Sequence, residues 1–429
     1  MKFTNLGLAS EIQKALDVCG YTDMTPVQKQ AIVPARRGKD LLVNAQTGTG
    51  KTAAFSLPII QQMLDTPKET IPNNPRALIL TPTRELAEQL ANAIASYTQF
   101  CNLSVTALFG GVKMGGQSAK LKQGVDILIS TPGRLLEHIA LRSVTLAHAE
   151  FVVLDEADRM LDMGFIADVN TLLSQTPPTR QTLLFSATSS AAVNELSHKV
   201  LRNHSEIRVT KINTTADTVS HVMYPVEEAK KVDLFKVLLR ENNWFQVLVF
   251  TSTKDQADRL MSALKLAKID AAVCHSDKSQ GARRRAIADF KSAKIQVLIA
   301  TEVAARGLDI QGLDHVVNFN LPYLPEDYVH RIGRTGRAGN QGYAISFVSR
   351  EEESTVARIE KLIGNKIKRI NKPGFEVSNR VSLLKSVSKN TRNQRSNKAT
   401  ATQINREKTA AHKAKKPKSK YSNSRKSKK

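Results

Sequence analysis

Short apolar runs alternate along the chain with longer stretches whose apolar residues recur at helical spacing. The short runs contain Val, Ile and Leu with little polar alternation, which is typical of strands buried on both faces of a parallel sheet. The longer stretches, such as RELAEQLANAIASY, have the pattern of a helix with one apolar face. In the first half of the chain the strand-like runs are LLVNA, ALILTP, DILIST, FVVLD and TLLFSAT. The alternation predicts an α/β fold in which helices cover a parallel sheet.

The alternation pauses between about residues 208 and 230, where small polar residues show no sustained period. It then resumes with the runs QVLVFTS, AAVCHS, QVLIAT, HVVNFN and YAISFVS. We therefore predict two α/β domains in tandem, at residues 1–209 and 218–373, joined by a linker at residues 210–217. Residues 374–429 follow as a C-terminal tail.

Positive charge is concentrated at the end of the chain. The 429 residues include 63 Lys or Arg and 39 Asp or Glu, a formal net charge of +24. The last fifty residues, from Arg380 to Lys429, contain 17 of the basic residues, a single acid, Glu407, and a single aromatic residue, Tyr421. Such a segment cannot bury enough apolar surface to offset the entropy of ordering, so we predict a disordered basic tail. The charge also indicates an anionic polymer as partner.

The composition argues against a membrane or zinc protein. No apolar run approaches the ~18 residues of a membrane span, and the first ten residues, MKFTNLGLAS, lack the apolar region of a signal peptide. Cys19, Cys101 and Cys274 lack the paired spacing of a zinc site. We predict a cytoplasmic protein whose cysteines are reduced and mostly buried.

The stretch FVVLDEADRMLD places three carboxylates directly after a buried strand. Asp155, Glu156 and Asp158 would repel one another, and burial would increase the repulsion, so a positive partner is expected nearby. The alternative is a solvated acidic helix start. The four apolar residues before Asp155 favour the buried site.

A second motif, AQTGTGKT at residues 45–52, follows another apolar strand and supplies that positive charge. It matches a phosphate loop with Ala45 in place of the first glycine. Backbone N–H groups around Gly48 and Gly50 would surround phosphate oxygens, and Lys51 would reach the outer phosphates. The alternative is a glycine-rich turn that happens to precede Lys51 and Thr52. The predicted nucleotide contacts are Ala45, Gln46, Thr47, Gly48, Thr49, Gly50, Lys51 and Thr52.

The two motifs together predict a magnesium site for ATP. Thr52 and Asp155 would hold Mg²⁺, partly through water, and the ion would balance the crowded carboxylates. Glu156 would then orient the attacking water.

Eleven motifs occur in one order: GYTDMTPVQ, AQTGTGKT, PTRELAEQ, the pair Gly110 and Gly111, TPGR, DEAD, SAT, VFTST, QGAR, ATEVAARGLD and HRIGRTGR. Together they resemble the DEAD-box RNA helicases, which have two RecA-like domains. The stretch HSDKSQGARRRAIADFK resembles the bacterial RhlE-type branch. The resemblance covers roughly residues 1–365 and not the tail.

The resemblance implies roles around ATP in both domains. Gln28 would read the adenine edge, Tyr21 would stack on the ring, and Phe3 would support Tyr21. In the second domain, Asp309 would contact the ribose, and Arg334 and Arg337 would reach the γ-phosphate, with Arg337 as the arginine finger. The residues that would couple phosphate state to domain closure are Asp158, Ser186, Thr188 and His330.

The resemblance also implies an RNA path across both domains. Its predicted residues are Pro82, Arg84, Gly110, Gly111, Thr131 and Arg134 in the first domain, and Arg283 and Thr301 in the second. Arginines and helix starts suit phosphates, so binding should not depend on base sequence, and the 2′-hydroxyl would allow a preference for RNA. One departure from the family is Ser276, which stands where glycine is usual and would be strained if that turn requires a positive φ.

We therefore predict an ATP-dependent RNA helicase that hydrolyses ATP on RNA binding and locally separates short duplexes, in ribosome assembly or RNA turnover. Ribosomal particles or RNA-decay proteins are the expected protein partners. The first alternative is an ATP-gated RNA clamp or chaperone without productive unwinding. The second is a DNA translocase, which PTRELAEQ, SAT and the Gln28 motif disfavour.

Overall fold

The structure is a computed structural model that describes residues 1–46, 48–209, 219–305, 310, 313–336 and 342–377. Residues 1–376 form one compact unit that contains two seven-stranded sheets. The predicted linker and the tail from residue 378 onward lie outside the described residues. None of the described helices combines the length and apolar composition needed to cross a membrane.

The first sheet is entirely parallel, in the order β3-β4-β2-β5-β6-β1-β7. Its strands β1 to β7 are Leu41–Asn44, Ala77–Leu80, Val105–Leu108, Ile127–Ser130, Phe151–Leu154, Gln181–Ser186 and Ser205–Arg208. The strands β1, β2, β4, β5 and β6 are buried along their whole length, as their continuous apolar composition predicts.

Nine described helices belong to this first lobe: α1 Ser10–Val18, α2 Pro26–Arg36, α3 Lys51–Asp65, α4 Arg84–Tyr97, α5 Met114–Gln123, α6 Pro132–Ala140, α7 Ala157–Asp162, α8 Ile166–Leu173 and α9 Ala191–Val200. Helices α1 to α4 pack on one face of the sheet around Phe55 and Phe185, and α6 to α9 pack on the other around Leu128 and Leu154. A short 3₁₀ turn, Phe3–Leu6, precedes them.

The second sheet repeats the same topology, in the order β10-β11-β9-β12-β13-β8-β14. Its strands β8 to β14 are Val219–Pro225, Val247–Thr251, Ala271–Cys274, Val297–Thr301, His315–Asn318, Gly342–Val348 and Lys368–Arg369. The helices α10 to α15 of this second lobe are Lys231–Glu241, Lys254–Leu266, Gln280–Lys291, Glu302–Ala305, Pro325–Ile332 and Glu353–Ile363. Two 3₁₀ turns, Glu228–Lys230 and Arg350–Glu352, complete the lobe.

Two local expectations have a clear outcome in the fold. Ser276 is absent from the described residues with positive φ, so serine is not strained in this turn. All three cysteines are free, as predicted; Cys274 is buried, and Cys19 and Cys101 are partly buried. Only Cys274, at the end of β10, is enclosed by the core.

Candidate nucleotide and RNA site

The predicted chemistry of the first lobe lies at the carboxyl ends of its parallel strands. Strand β1 ends at Asn44 and leads into the phosphate loop, residues 45–50, while β5 ends at Leu154 and leads into Asp155. Strand β6 lies between them and ends at Ser186. A ligand at this edge of the sheet can therefore reach all three motifs.

Glycines and short contacts shape the phosphate loop. Gly48 and Gly50 have φ of 79° and 90°, in the left-handed region. A Cβ added to Gly50 would lie 2.5 Å from Nε2 of Gln28, so both conformation and space require glycine there. Thr49 Oγ1 donates to the carbonyl of Gln46 at 2.7 Å, and the loop is anchored to β6 by Ala45 N–H, which donates to Ser186 O. Thr47 lies outside the described residues.

Lys51 begins α3 directly after this loop and is buried. Its Nζ lies 3.9 Å from Asp155 Oδ1 and has no hydrogen-bond partner among the described residues. A buried ammonium group with unused donors is unfavourable unless an anion completes its surroundings. The position suits the phosphate contact that the sequence predicts for Lys51.

Asp155 and Glu156 form the buried acidic end of β5. Burial raises the pKa of Asp155 to about 6, the Lys51 ammonium opposes that rise, and the Glu156 and Asp158 carboxylates add to it. Glu156 adopts a left-handed conformation, with φ 54° and ψ 49°, and its N–H donates to Asp155 Oδ1 at 3.0 Å. Such a conformation is strained for a residue with a side chain, and strain of this kind is common at functional sites.

A cavity of about 300 Å³ joins the phosphate loop to the acidic strand end. A volume of this size is sufficient for a small organic ligand. Its wall includes one side chain of the second lobe, Arg334. The lining residues are Tyr21, Gln28, Gly48, Gly50, Lys51, Thr52, Ala53, Leu86, Gln89, Ala93, Tyr97, Asp155, Glu156 and Arg334.

Two aromatic residues, Tyr21 and Tyr97, line the part of this cavity predicted to bind adenine, and Phe3 lies behind Tyr21. Phe3 is buried and stacks on Tyr21, with ring centroids 6.1 Å apart. The Tyr21 hydroxyl lies 3.2 Å from that of Tyr97, a cavity residue that the sequence analysis missed. Burial, with the Tyr21 hydrogen bond, raises the pKa of Tyr97 well above its ordinary value. Tyr97 ends α4 with the spacing of an ordinary core residue, so its pattern alone gave no signal.

Gln28 occupies the same wall and is already hydrogen-bonded within the lobe. Its Oε1 accepts from Thr25 N–H at 2.8 Å, and its Nε2 donates to Gly50 O at 3.1 Å. The side chain therefore connects the start of α2 with the phosphate loop, a contact that spacing along the chain did not predict.

The residues expected to couple the lobes divide into two groups. Ser186 Oγ donates to Thr188 O at 2.8 Å and accepts from Thr188 N–H at 3.2 Å. Asp158 and His330 instead line a small cavity of about 10 Å³ between the lobes, together with Glu156, Arg159, Ala187, Phe250, Glu302, Ala305 and Arg334. Arg334 thus contributes to this cavity and to the larger one. Asp309 and Arg337 lie outside the described residues.

The predicted RNA residues of the first lobe also follow strand ends. Arg84 begins α4 after Pro82, with Thr83 as its N-cap, and Thr131 is the residue before α6. Next to them is the glycine loop, residues 109–112, over which the Arg84 guanidinium lies. A Cβ added to Gly111 would be 2.0 Å from Arg84 Nη1, and one added to Gly110 would be 3.2 Å from Nη2.

Arg134 is buried, and its donors are directed at protein atoms. Nε donates to Phe109 O at 3.0 Å, Nη2 donates to Val112 O, and Nη1 pairs with Glu137 at 2.7 Å. Arg134 therefore holds both ends of the glycine loop through the carbonyl groups of Phe109 and Val112.

Two residues that the sequence analysis missed complete this support. The buried His138 bonds through Nε2 to Gln117 Oε1 at 3.0 Å, and Gln117 Nε2 donates to Phe109 O at 3.0 Å. His138 Nδ1 lies 2.8 Å from Ser143 Oγ. The sequence signal that could have identified His138 is its spacing, since it lies four residues after Arg134 and hence on the same helix face.

Arg283 also pairs with protein, across the two lobes. It lies on α12, and its Nη2 is 2.7 Å from Glu85 of α4, with both side chains buried. Gln280 Nε2 donates to the same carboxylate at 3.2 Å. Thr301, by contrast, ends β11 and is partly exposed.

Two family models match the chain. The model described as DEAD/DEAH box helicase matches residues 25–196, and the model described as Helicase conserved C-terminal domain matches residues 230–339. Together they cover most of both lobes.

Curated relatives are similar over three quarters or more of their length in the two cases that follow. The ATP-dependent RNA helicase RhlB of Pseudomonas syringae pv. tomato is 42% identical over 371 residues, which are 85% of this chain and 94% of that protein. The DEAD-box ATP-dependent RNA helicase CshA of Bacillus subtilis is 40% identical over 374 residues, 87% of this chain and 75% of the relative. Neither name refers to the RhlE-type branch, which stays a prediction.

Solved structures have the same two-lobed architecture. S. cerevisiae Dbp5 bound to RNA and ADP BeF3 aligns with a TM-score of 0.77 and 30% identity, covering 86% of this chain and 95% of that one. Mss116p bound to ssRNA and AMP-PNP aligns with a TM-score of 0.77 and 27% identity, covering 88% and 79%. The chain therefore belongs to the DEAD-box family of ATP-dependent RNA helicases, with an α/β fold of two tandem RecA-like domains.

Proposed function

We propose that this chain hydrolyses ATP in the cavity beside the phosphate loop when RNA holds the two lobes together, and that the cycle locally separates short RNA duplexes. One observation carries the proposal. Lys51, Asp155 and Glu156 of the first lobe line the same cavity as Arg334 of the second. Hydrolysis can therefore depend on how the lobes are arranged.

The roles proposed for these side chains follow from their positions. Lys51 binds the outer phosphates with donors that no described residue uses. Glu156 orients the attacking water, for which its strained backbone fixes the carboxylate beside Asp155. Arg334, and Arg337 as the arginine finger, stabilise charge on the γ-phosphate, while Asp309 contacts the ribose.

Magnesium fits the acidic end of β5. The fit rests on position: the buried Asp155 carboxylate lies on the same cavity wall as Thr52 and Glu156, and carboxylate and hydroxyl oxygens are ligands that suit Mg²⁺. Thr52 and Asp155 would hold the ion, partly through water, and bound Mg²⁺ would neutralise phosphate charge.

Adenine is proposed to lie against Tyr21, which Phe3 and Tyr97 support. Gln28 would pair with the base edge while keeping the phosphate loop in place, since its amide has a second Nε2 hydrogen.

RNA is proposed to cross the carboxyl ends of the strands of both sheets. The protein would contact only the sugar-phosphate backbone of the RNA. Support comes from Arg84 above Gly110 and Gly111, from the helix starts at Pro82 and Thr131, and from Thr301. The relatives of known structure are bound to RNA, which supports the same partner here. For Arg134 and Arg283 we propose a structural role. Arg134 supports the glycine loop with its donors, and Arg283 joins the lobes through Nη2, although its Nε has no hydrogen-bond partner among the described residues.

The wider setting is also a proposal. We propose two domains at residues 1–209 and 218–373, a cytoplasmic location, and a role in ribosome assembly or RNA turnover with ribosomal particles or RNA-decay proteins. The competing function is an ATP-gated RNA clamp, which has the same ATP and RNA contacts but does not unwind.

Glu156→Gln tests the proposed function because it keeps the shape of the side chain and removes its charge. We expect ATP and RNA binding to persist while turnover at saturating RNA falls about 100-fold or more, as for loss of a catalytic base. Unwinding of a short duplex should stop as well. The matched control is Glu195→Gln, the same change at an exposed position of α9.

Turnover by Glu156→Gln within a few-fold of wild type would refute the role of Glu156. Wild-type turnover without duplex separation would favour the clamp instead.

A further inference from the structure

One buried ion pair joins the lobes close to the ATP cavity. Arg159 follows the DEAD sequence on α7, and its Nη1 pairs with Asp327 Oδ1 on α14 of the second lobe. The two side chains are only 5% and 9% exposed. Arg159 Nη1 also pairs with Asp162 on its own helix at 3.1 Å.

We propose that Arg159 and Asp327 form a closure latch, a pair of positioning residues that places α14 correctly for RNA-dependent ATP hydrolysis. The inference rests on the proposed function. Neither residue lines the ATP cavity, so both would act through residues beside them.

The latch connects the two helices that carry the proposed chemistry. Arg159 directly follows Asp158, and Glu156 caps the same helix. Asp327 lies one turn before His330 on α14, and Arg334 follows the end of that helix. The small cavity between the helices is lined by residues from both, so a displacement of α14 would alter the distance from Arg334 to Glu156.

The carboxylates around Arg159 favour a positive charge at its position in the interface. Burial acts to lower the pKa of Arg159, but the carboxylates of Asp327, Asp158, Glu302 and Asp162 outweigh it and raise the pKa. Arg159 therefore stays charged in the interface, and an anion on α14 is the partner that suits it.

A charged pair suits a reversible interface better than an apolar pair. When the lobes separate, water solvates both charges, so the pair adds little net driving force for closure. When the lobes close in another register, a buried charge is left unpaired, which is strongly unfavourable. The latch should thus select the productive arrangement without holding the lobes together in the absence of ATP and RNA.

A double-mutant cycle tests the latch in the full-length protein. The variants are Arg159→Met, Asp327→Asn and the double mutant, with Arg159→Lys as the conservative change. We expect each neutral variant to lower RNA-stimulated kcat on the order of 10-fold, and the double mutant to be no slower than the slower single. Arg159→Lys should recover part of the loss. The Kd for ATP without RNA should stay within about two-fold, because the pair forms only when the lobes meet.

Arg76→Met is the matched control. Arg76 pairs with Glu150 inside the first lobe at 2.6 Å and is equally buried, at 6% exposure. It should lower thermal stability without changing RNA-stimulated kcat.

Several outcomes would overturn the latch. These are unchanged kcat in both single variants, a double mutant whose loss is the product of the single losses, or the same loss of kcat in Arg76→Met. If Arg159→Met does not fold, Arg159→Lys and Asp327→Asn complete the cycle. A wild-type protein without RNA-stimulated ATPase would instead refute the proposed function.

Discussion

The Gln28 side chain has two structural hydrogen bonds at the proposed nucleotide site. Its amide oxygen caps the start of α2 and its amide nitrogen reaches the phosphate loop at Gly50. The proposed contact with adenine would add a third partner. Base reading and loop position are therefore linked in one residue.

Gln28→Ala should erode the preference for ATP over GTP. A side-chain amide pairs with the donor and acceptor of the adenine edge and mismatches guanine. We expect the ratio of kcat/KM for ATP to that for GTP to fall, and KM for both nucleotides to rise because Gly50 loses its partner. Gln28→Glu keeps the acceptor for Thr25 N–H but removes the Nε2 donor, so it should lower the same ratio. An unchanged ratio would mean that Gln28 positions the loop and does not read the base.

Gly50→Ala should abolish tight ATP binding. The new Cβ would lie 2.5 Å from Gln28 Nε2, at a φ of +90° that disfavours any side chain. Gly38→Ala is the control, because Gly38 also has positive φ, +76°, but nothing lies within 4 Å of the added Cβ. The control should lose only about 1–2 kcal/mol of stability. Equal ATP affinity in the two variants, measured by titration, would argue against a tight phosphate loop.

At the scale of elements, α6 determines the shape of the glycine loop. Arg134 and His138 extend from this helix, and both reach Phe109 O, Arg134 directly and His138 through Gln117. Phe109 packs into the core of the lobe, and these hydrogen bonds fix the loop's backbone carbonyls. Helix α6 is therefore as important for the proposed RNA path as the loop itself.

His138 should make the first lobe sensitive to acid. Burial, followed by the nearby Arg134 charge, lowers the pKa of His138 below its ordinary value of 6.5. Below about pH 6.5 His138 is protonated in the unfolded chain but stays neutral in the folded lobe. The free energy of unfolding should therefore decrease as the pH is lowered. It should fall less in His138→Gln. Urea unfolding from pH 7.5 to 5.5 measures the difference, with the exposed His148→Gln as control.

An identical pH dependence in wild type and His138→Gln would contradict this account.

At the scale of the whole molecule, ion pairs join the lobes at two places. The latch near the ATP cavity is buried, whereas the RNA side has both the buried pair of Arg283 with Glu85 and the pair of Arg284 with Glu88, which are 51% and 32% exposed. Exposed pairs contribute little and are screened by salt. Salt should therefore screen the pair of Arg284 with Glu88 more than either buried pair.

The tail adds a separate salt-sensitive interaction, which we predict from composition alone. Deleting residues 380–429 removes 17 basic residues and should weaken binding of all RNAs about equally. If ~5 of these charges meet phosphates at once, the slope of log K against log salt becomes shallower by ~3–4. Maximal ATPase at saturating RNA should survive. Parallel slopes for the two proteins would exclude an electrostatic tether, and loss of maximal ATPase would place the tail in the catalytic core.

Much of the fold could be predicted from local patterns. The strand and helix alternation predicted both parallel sheets, because strands buried on both faces need continuous apolar runs. The grouping of Lys51 with Asp155 was also predictable, since each follows a strand and parallel strands end at one edge. The order of the motifs along the chain made the family recognisable from sequence alone.

The amino-acid sequence by itself determined which residue types follow which strands, and hence the phosphate loop, the acidic strand end and the helicase family. Tertiary structure alone decided how the arginines are used. Arg84, Arg134 and Arg283 all looked suited to phosphates, but only burial and the distances to Phe109 and Glu85 show which donors are already occupied. The pairing of Arg159 with Asp327, 168 residues apart, likewise depends on how the two lobes meet. Local spacing specifies an element and its face, whereas a hydrogen-bond partner depends on which elements pack together.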